Sequence, residues 1–252
     1  MTDATATAHT DDLPPRLTRL VFHGPLSEAR AAAMVRRLAA ARPGSVLDIG
    51  CGWGELMLRV LDAVPQAHGV GVDVSGADLA RGRRNAGARG LADRVEFAEE
   101  SAAGTRRGPA DLVLCLGATQ ALSKAEPPTR EALHELRRLV TDGGRVLLGE
   151  GFWERTPTEP ELARMWPDAS VADQYDLDTL LDLAVEAGFR PCLLYTRDRS
   201  AYQADTEVWL ARHPGHPRAA DTRERLDRHR RQWMAYRGIL GLAYLTLVPV
   251  SA

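Results

Sequence analysis

Short apolar, β-branched runs alternate with longer runs of helical spacing from Ser45 to Glu150, and few folds accommodate that rhythm. Residues 45–49, 69–74, 94–98, 111–116 and 145–150 predict strands. Between them Met57, Val60, Leu61 and Val64 mark one helix, 79–88 a second, and Leu133, Leu136, Leu139 and Val140 a third. A further helix leads in: Ser27 is placed to cap it, Ala31, Met34, Val35 and Leu38 recur on one face, and Pro43-Gly44 stops it. Strands separated by helices of this length join through right-handed crossovers, which gives a mostly parallel sheet covered on both faces, a doubly wound α/β architecture.

Past Glu150 the rhythm loosens. Residues 151–171 are rich in Pro, Trp and acids and read as a cover rather than a plain connection. A helix from an Asp178 cap to a Gly188 stop, a strand at 191–196, a second aromatic insertion at 202–213, a helix near 221–236 and a strand at 243–250 complete the chain. Residues 1–15 are polar and acidic with nothing periodic to bury, and are expected to form a mobile tail. The remainder, 16–252, is expected to be one domain with cover insertions near 151–172 and 200–220.

A formal net charge of -2 over 252 residues supplies no field to concentrate polyanions, so nucleic acid is not the expected partner. The basic run at 223–231 has acids interleaved and reads as a solvated helix face. Cys51, Cys115 and Cys192 each lie in or beside an apolar run, which argues against a disulfide framework or a zinc site. With neither a signal-like segment nor a membrane-spanning apolar run in the sequence, a cytoplasmic protein is expected.

The chemistry concentrates in 46–55, VLDIGCGWGE. Val46, Leu47 and Ile49 build a strand, and Gly50, Gly52 and Gly54 let the chain turn so that a ligand can touch backbone without meeting a Cβ. In an open parallel sheet this turn lies where the winding reverses and ligands bind. The next strand ends in Gly71-Val72-Asp73-Val74. It places a carboxylate 19 positions after Gly54, where an acid accepts the hydroxyl hydrogens of a ribose. A nucleotide-like ligand follows, and two features favour S-adenosylmethionine over NAD. Asp48, inside the strand, needs a cationic partner such as the ammonium of a methionine moiety, and the glycine spacing is shorter than the dinucleotide fingerprint.

These segments, with DRVEF on the third strand, DLVLCLGATQAL on the fourth and VTDGGRVLLGEGFW into the fifth, resemble the class I S-adenosylmethionine-dependent methyltransferases, in particular bacterial small-molecule methyltransferases. The resemblance runs from about Leu26 to Val250. It implies a Rossmann-like doubly wound sheet of seven strands, mostly parallel with an antiparallel last strand pair and helices on both faces. It implies further that Asp48, Gly50, Cys51, Gly52 and Gly54 surround the methionine end of the cofactor, that Asp73 holds the ribose and that Val74 lies against the adenine. Glu100, Ser101 and Ala102 then sit at the adenine edge, and Leu116 and Gly117 near the sulfonium. The family usually has Asp where this chain has Ser101, so contact with the adenine amino group weakens or passes to Glu100.

Methyl transfer is an in-line displacement that needs alignment and, for some acceptors, a base. Gln120, just beyond the fourth strand, is a candidate to hydrogen-bond the acceptor, or else a loop amide facing water. Glu150 either faces the acceptor or fixes a loop, and His23 is the best-placed histidine for a base. Phe22, Trp153, Tyr202 and Tyr236 are candidate aromatic contacts to a flat or apolar acceptor, unless they serve packing. The expected activity is methyl transfer to an O, N or C atom of a small metabolite by a monomer or homodimer without a metal. The alternatives are an NAD-dependent oxidoreductase and a non-methylating cyclase or binding protein on the same fold.

Overall fold

A computed structural model describes residues 20–196, 206, 209–210, 213, 215–236 and 238–250. The expected tail at 1–15 and Tyr202 lie outside the described residues. Helix α1 (Glu28–Ala40) starts where Ser27 caps it, its hydroxyl accepting from the Arg30 amide, and buries Ala31, Met34 and Leu38. There follow β1 (Ser45–Ile49), α2 (Glu55–Ala63), β2 (His68–Asp73), α3 (Gly76–Ala88), β3 (Val95–Glu99), β4 (Ala110–Leu116), α4 (Thr129–Leu139) and β5 (Val140–Trp153). The chain continues through α5 (Glu159–Leu162), α6 (Leu177–Glu186), β6 (Phe189–Thr196), α7 (Ala219–Tyr236) and β7 (Leu240–Pro249).

The seven strands form one sheet in the order β3-β2-β1-β4-β5-β7-β6. The first five strands pair in parallel, and β7 runs antiparallel to both β5 and β6. The expected Rossmann-like sheet is therefore present, with its winding reversing between β1 and β4. Alternation along β1 sends Leu47 and Ile49 into the core shared with α4 and α6, and Val46 into the core shared with α1, α2 and α3. Asp48 follows Val46's side, and all four residues are buried.

Several boundaries differ from the sequence reading: β5 begins at Val140, which that reading places in a helix, β6 at Phe189 and β7 at Leu240, and the cap of α6 and the end of β5 differ too. Asp176, not Asp178, caps α6: its carboxylate accepts from the Thr179 amide at 2.8 Å, and Asp178 falls in the first helical turn. The chain holds two acids two residues apart, and the one in extended backbone takes the cap. Strand β5 does not stop at Glu150 but runs through Gly151, Phe152 and Trp153, because Leu240–Leu242 of β7 begin early enough to pair with them. The segment expected to form a cover therefore starts beyond Trp153. It carries α5 and a small core in which the Trp153 and Trp166 rings stack at 6.2 Å beside Met165 and Ile239. Among the described residues no helix is long and apolar enough to cross a membrane.

Glu55, the first residue of α2, is 7% exposed and sits between two guanidinium groups, Arg59 and Arg89, each at 2.8 Å. This pairing ties α2 to the end of α3 beneath the turn that follows β1.

Candidate active site

The turn after β1 is built from three left-handed glycines, Gly50, Gly52 and Gly54, with φ of 60°, 54° and 65°. At Gly52 a Cβ would also fall 2.6 Å from the His23 ring, so the residue is demanded by conformation and by space. The Gly52 amide donates to Asp73 Oδ2 at 2.7 Å, and the Ser75 amide donates to Oδ1 at 2.8 Å. Each oxygen keeps a lone pair for a further donor, so Asp73 is held in one orientation and still able to accept.

A cavity of about 480 Å³ opens above the carboxyl ends of β1, β2 and β4, within the roughly 300–1,000 Å³ usual for small-molecule sites. Gly50 and Gly52 line it from the turn, Asp73 and Val74 from the end of β2, and Glu100, Ser101 and Ala102 from the end of β3. Leu116, Gly117 and Gln120 line it from the end of β4, and His23 from the segment before α1. Gln120 folds back, its amide donating to the Gly117 carbonyl at 3.1 Å. His23 lies over the turn, 3.8 Å from the Trp53 ring and 3.5 Å from Asp78 Oδ2. The segment carrying His23 is fastened there: Trp53 donates to the Val21 carbonyl at 2.8 Å, and Arg81, stacked 3.8 Å over Trp53, donates to the Leu20 carbonyl.

Other expected site residues lie off the cavity wall. Asp48 is 5% exposed behind the turn and has no ion-pair partner among the described residues. Burial pushes its carboxyl up to about 8, with the nearby Asp73 charge adding to the effect. Cys51 points inward, its sulfur beneath Gly71, and burial pushes its thiol up, so it packs and offers no thiolate. Gly54 faces Phe97 and begins α2. Glu150 is buried beneath the loop after β4, with Thr119 beside it and the Gly151 amide donating to Oε1 at 3.2 Å. Its Oε2 has no partner, and burial raises its carboxyl to about 7. Phe22 packs into the core under the Arg59 guanidinium at 4.9 Å, and Trp153 donates to the Val171 carbonyl at 2.8 Å. Tyr236 closes α7 and its side chain, like the whole of Tyr202, lies outside the described residues.

Sequence reasoning missed Asp78 and Lys124, both on the cavity wall. Asp78 lies in the first turn of α3, one residue before the helix read from sequence. Lys124 carried a signal in plain view: it is the only lysine in a chain with 32 lysines and arginines together.

A methyltransferase-domain family model matches residues 47–146. A SAM-dependent methyltransferase from Geobacter sulfurreducens, crystallised with S-adenosyl-L-homocysteine, shares the fold at a TM-score of 0.73 and 26% identity, covering 93% of this chain and 98% of that one. YjhP of Escherichia coli K12 is 27% identical over 85% of this chain and 88% of its own length. The malonyl-[acyl-carrier protein] O-methyltransferase of Geobacter sulfurreducens is 26% identical over 77% of this chain and 78% of its own.

Proposed function

We propose, of a chain that carries the fold and domain signature of the class I S-adenosylmethionine-dependent methyltransferases, that it binds S-adenosylmethionine in the cavity above β1, β2 and β4 and passes the methyl group to a small molecule. The observation that carries the reading is the pairing of two acids with one glycine turn. Asp73 is held by the turn's own amide with lone pairs to spare, and Asp48 is a buried acid without a cationic partner. A ribose with two hydroxyls satisfies the first, and an ammonium, directly or through water, satisfies the second. A dinucleotide supplies the ribose but brings phosphate toward Asp48.

When bound, the cofactor supplies the electrophilic methyl group. The protein's own groups hold and orient it: Gly50 and Gly52 admit its methionine end, Asp73 fixes the ribose, Val74 faces the base, and Leu116 and Gly117 border the region of the sulfonium. Displacement at a methyl carbon gains most from alignment and exclusion of water. His23, beside Asp78 and over the turn, is the nearest candidate proton acceptor, and Gln120 the nearest neutral hydrogen-bonding group. Glu150 acts through Thr119 on the loop that carries Gln120. The acceptor is a small metabolite, and the choice among O, N and C belongs to that acceptor's chemistry.

Titration calorimetry with S-adenosylhomocysteine and with NADH tests the cofactor: binding of NADH alone refutes the reading. Incubation with methyl-labelled cofactor and a panel of phenols, amines, acids and quinones tests transfer. A cofactor-loaded protein that labels none of them favours a cyclase or binding role.

A further inference from the structure

We propose that the base end of the cavity grips the cofactor's purine by its faces and leaves the exocyclic 6-amino group unread, so that cofactors substituted on that nitrogen bind as the parent does. The inference rests on the cofactor reading above. With the ribose at Asp73, the base extends between Val74 and the loop after β4 toward Ser101 and Ala103. Val74 is 73% exposed and lines the cavity, an apolar platform for a flat ring.

At the edge beyond, each acceptor with a printed contact already has a partner, and no carboxylate there has its charge unmatched. A 6-amino group donates, so it is read by an uncommitted acceptor, best a carboxylate. Three carboxylates line the cavity. Each Glu100 oxygen accepts from Arg107, at 3.1 and 3.0 Å, and Arg107 is anchored in turn to Glu96 at 2.6 Å, so the Glu100 charge is already matched by a guanidinium and its carboxylate is held toward Arg107. Asp73 serves the turn and the ribose, and Asp78 faces His23 at 3.5 Å. The Ser101 hydroxyl already accepts from the Ala103 amide at 3.3 Å, and the Ala102 carbonyl accepts from the Thr105 amide at 3.1 Å. Lys124, on the facing wall, has donors only. The rim is also open: Ser101, Ala103 and Gly104 are small and exposed, and no atom lies within 4 Å of where a Gly104 side chain would begin.

The test is titration calorimetry on the full chain with S-adenosylhomocysteine and its N6,N6-dimethyl analogue, which removes both N–H donors and adds bulk. Dissociation constants within about fivefold of one another support the proposal, and a larger loss for the dimethyl ligand overturns it. Ser101→Asp restores an acceptor at the edge and is expected to make the parent bind at least about tenfold better than the analogue. Arg107→Met, which releases Glu100, is expected to act in the same direction should the first variant fold poorly. If neither variant discriminates, Ser101 and Glu100 do not face the 6-position and the proposal falls. Failure of S-adenosylhomocysteine itself to bind the unmodified protein refutes the cofactor reading first, a distinct result.

Discussion

Replacing Asp48 with Asn is expected to make the ligand-free protein more stable and the cofactor site worse. The acid is buried with no ion-pair partner among the described residues, and its carboxyl is raised from 3.8 to about 8, chiefly by burial. The unfolded chain therefore releases this proton at a lower pH than the folded chain does. A raised folded value contributes stability that is complete below the unfolded pKa and is lost as pH rises toward the folded one. The slope is about 1.36 kcal/mol per pH unit, so the unmodified protein should lose about 4 kcal/mol at this site between about pH 5 and about pH 8. Asn is nearly isosteric and does not titrate, so the difference in urea-unfolding free energy between the two proteins should widen by that amount over the same range. Other titrating groups are common to both and cancel. A difference that changes by less than about 1 kcal/mol refutes the argument that Asp48 is a desolvated, unpaired acid. Binding supplies the second half. An ammonium against Asp48 favours the carboxylate, so at about pH 7 S-adenosylhomocysteine should displace close to one proton from the unmodified protein, read from the buffer dependence of the binding heat. The Asn variant should release none and bind at least about 100-fold more weakly, about 3 kcal/mol, since the ligand's charge then lacks its partner.

Gly52→Ala puts a side chain at φ 54° and 2.6 Å from His23; a stability loss of about 2 kcal/mol and weaker cofactor binding are expected from chemical unfolding and calorimetry, and an unchanged protein refutes both demands. Glu150 is raised from 4.5 to about 7, so stability should fall by about 3 kcal/mol as pH rises through that interval. Glu150→Gln should lack this fall, and parallel pH courses for the two proteins count against it. Glu55→Ala leaves Arg59 and Arg89 without their shared partner and should cost about 3 kcal/mol in urea unfolding, with less than about 1 kcal/mol indicating that solvent screens the pair.

The strands of the cofactor half could be read from sequence because each is a short apolar run closed by glycine or an acid, and β1 falls on its expected bounds. β5 could not be bounded in the same way, because Gly151, Phe152 and Trp153 become strand only through pairing with Leu240–Leu242, far along the chain. For the site, the residue types were visible but the side of the backbone they occupy was not. Gly50 and Gly52 reach the cavity while Gly54, in the same turn, meets Phe97 from β3. For Glu150 and Phe22 the sequence left an acceptor contact and a packing role both open. The pleat of β5 and the path before α1 turn them into packed interiors, against Thr119 and beneath Arg59. The commitment of Glu100 to Arg107 was likewise invisible, since the two meet across a loop.

The position of β7 between β5 and β6, though it comes last in the chain, has a consequence for synthesis. A chain emerging from the ribosome has every residue that lines the cavity, from His23 to Lys124, before β5 is made, whereas β6 finds its sheet partner only once β7 has left the exit tunnel. Until then β5 offers an unpaired edge of eight residues, Val146–Trp153, mostly apolar, to any neighbouring strand. The cavity is bordered by the ends of β1 through β4 and the segment before α1, so a ligand in it bears on the half of the sheet that is made first.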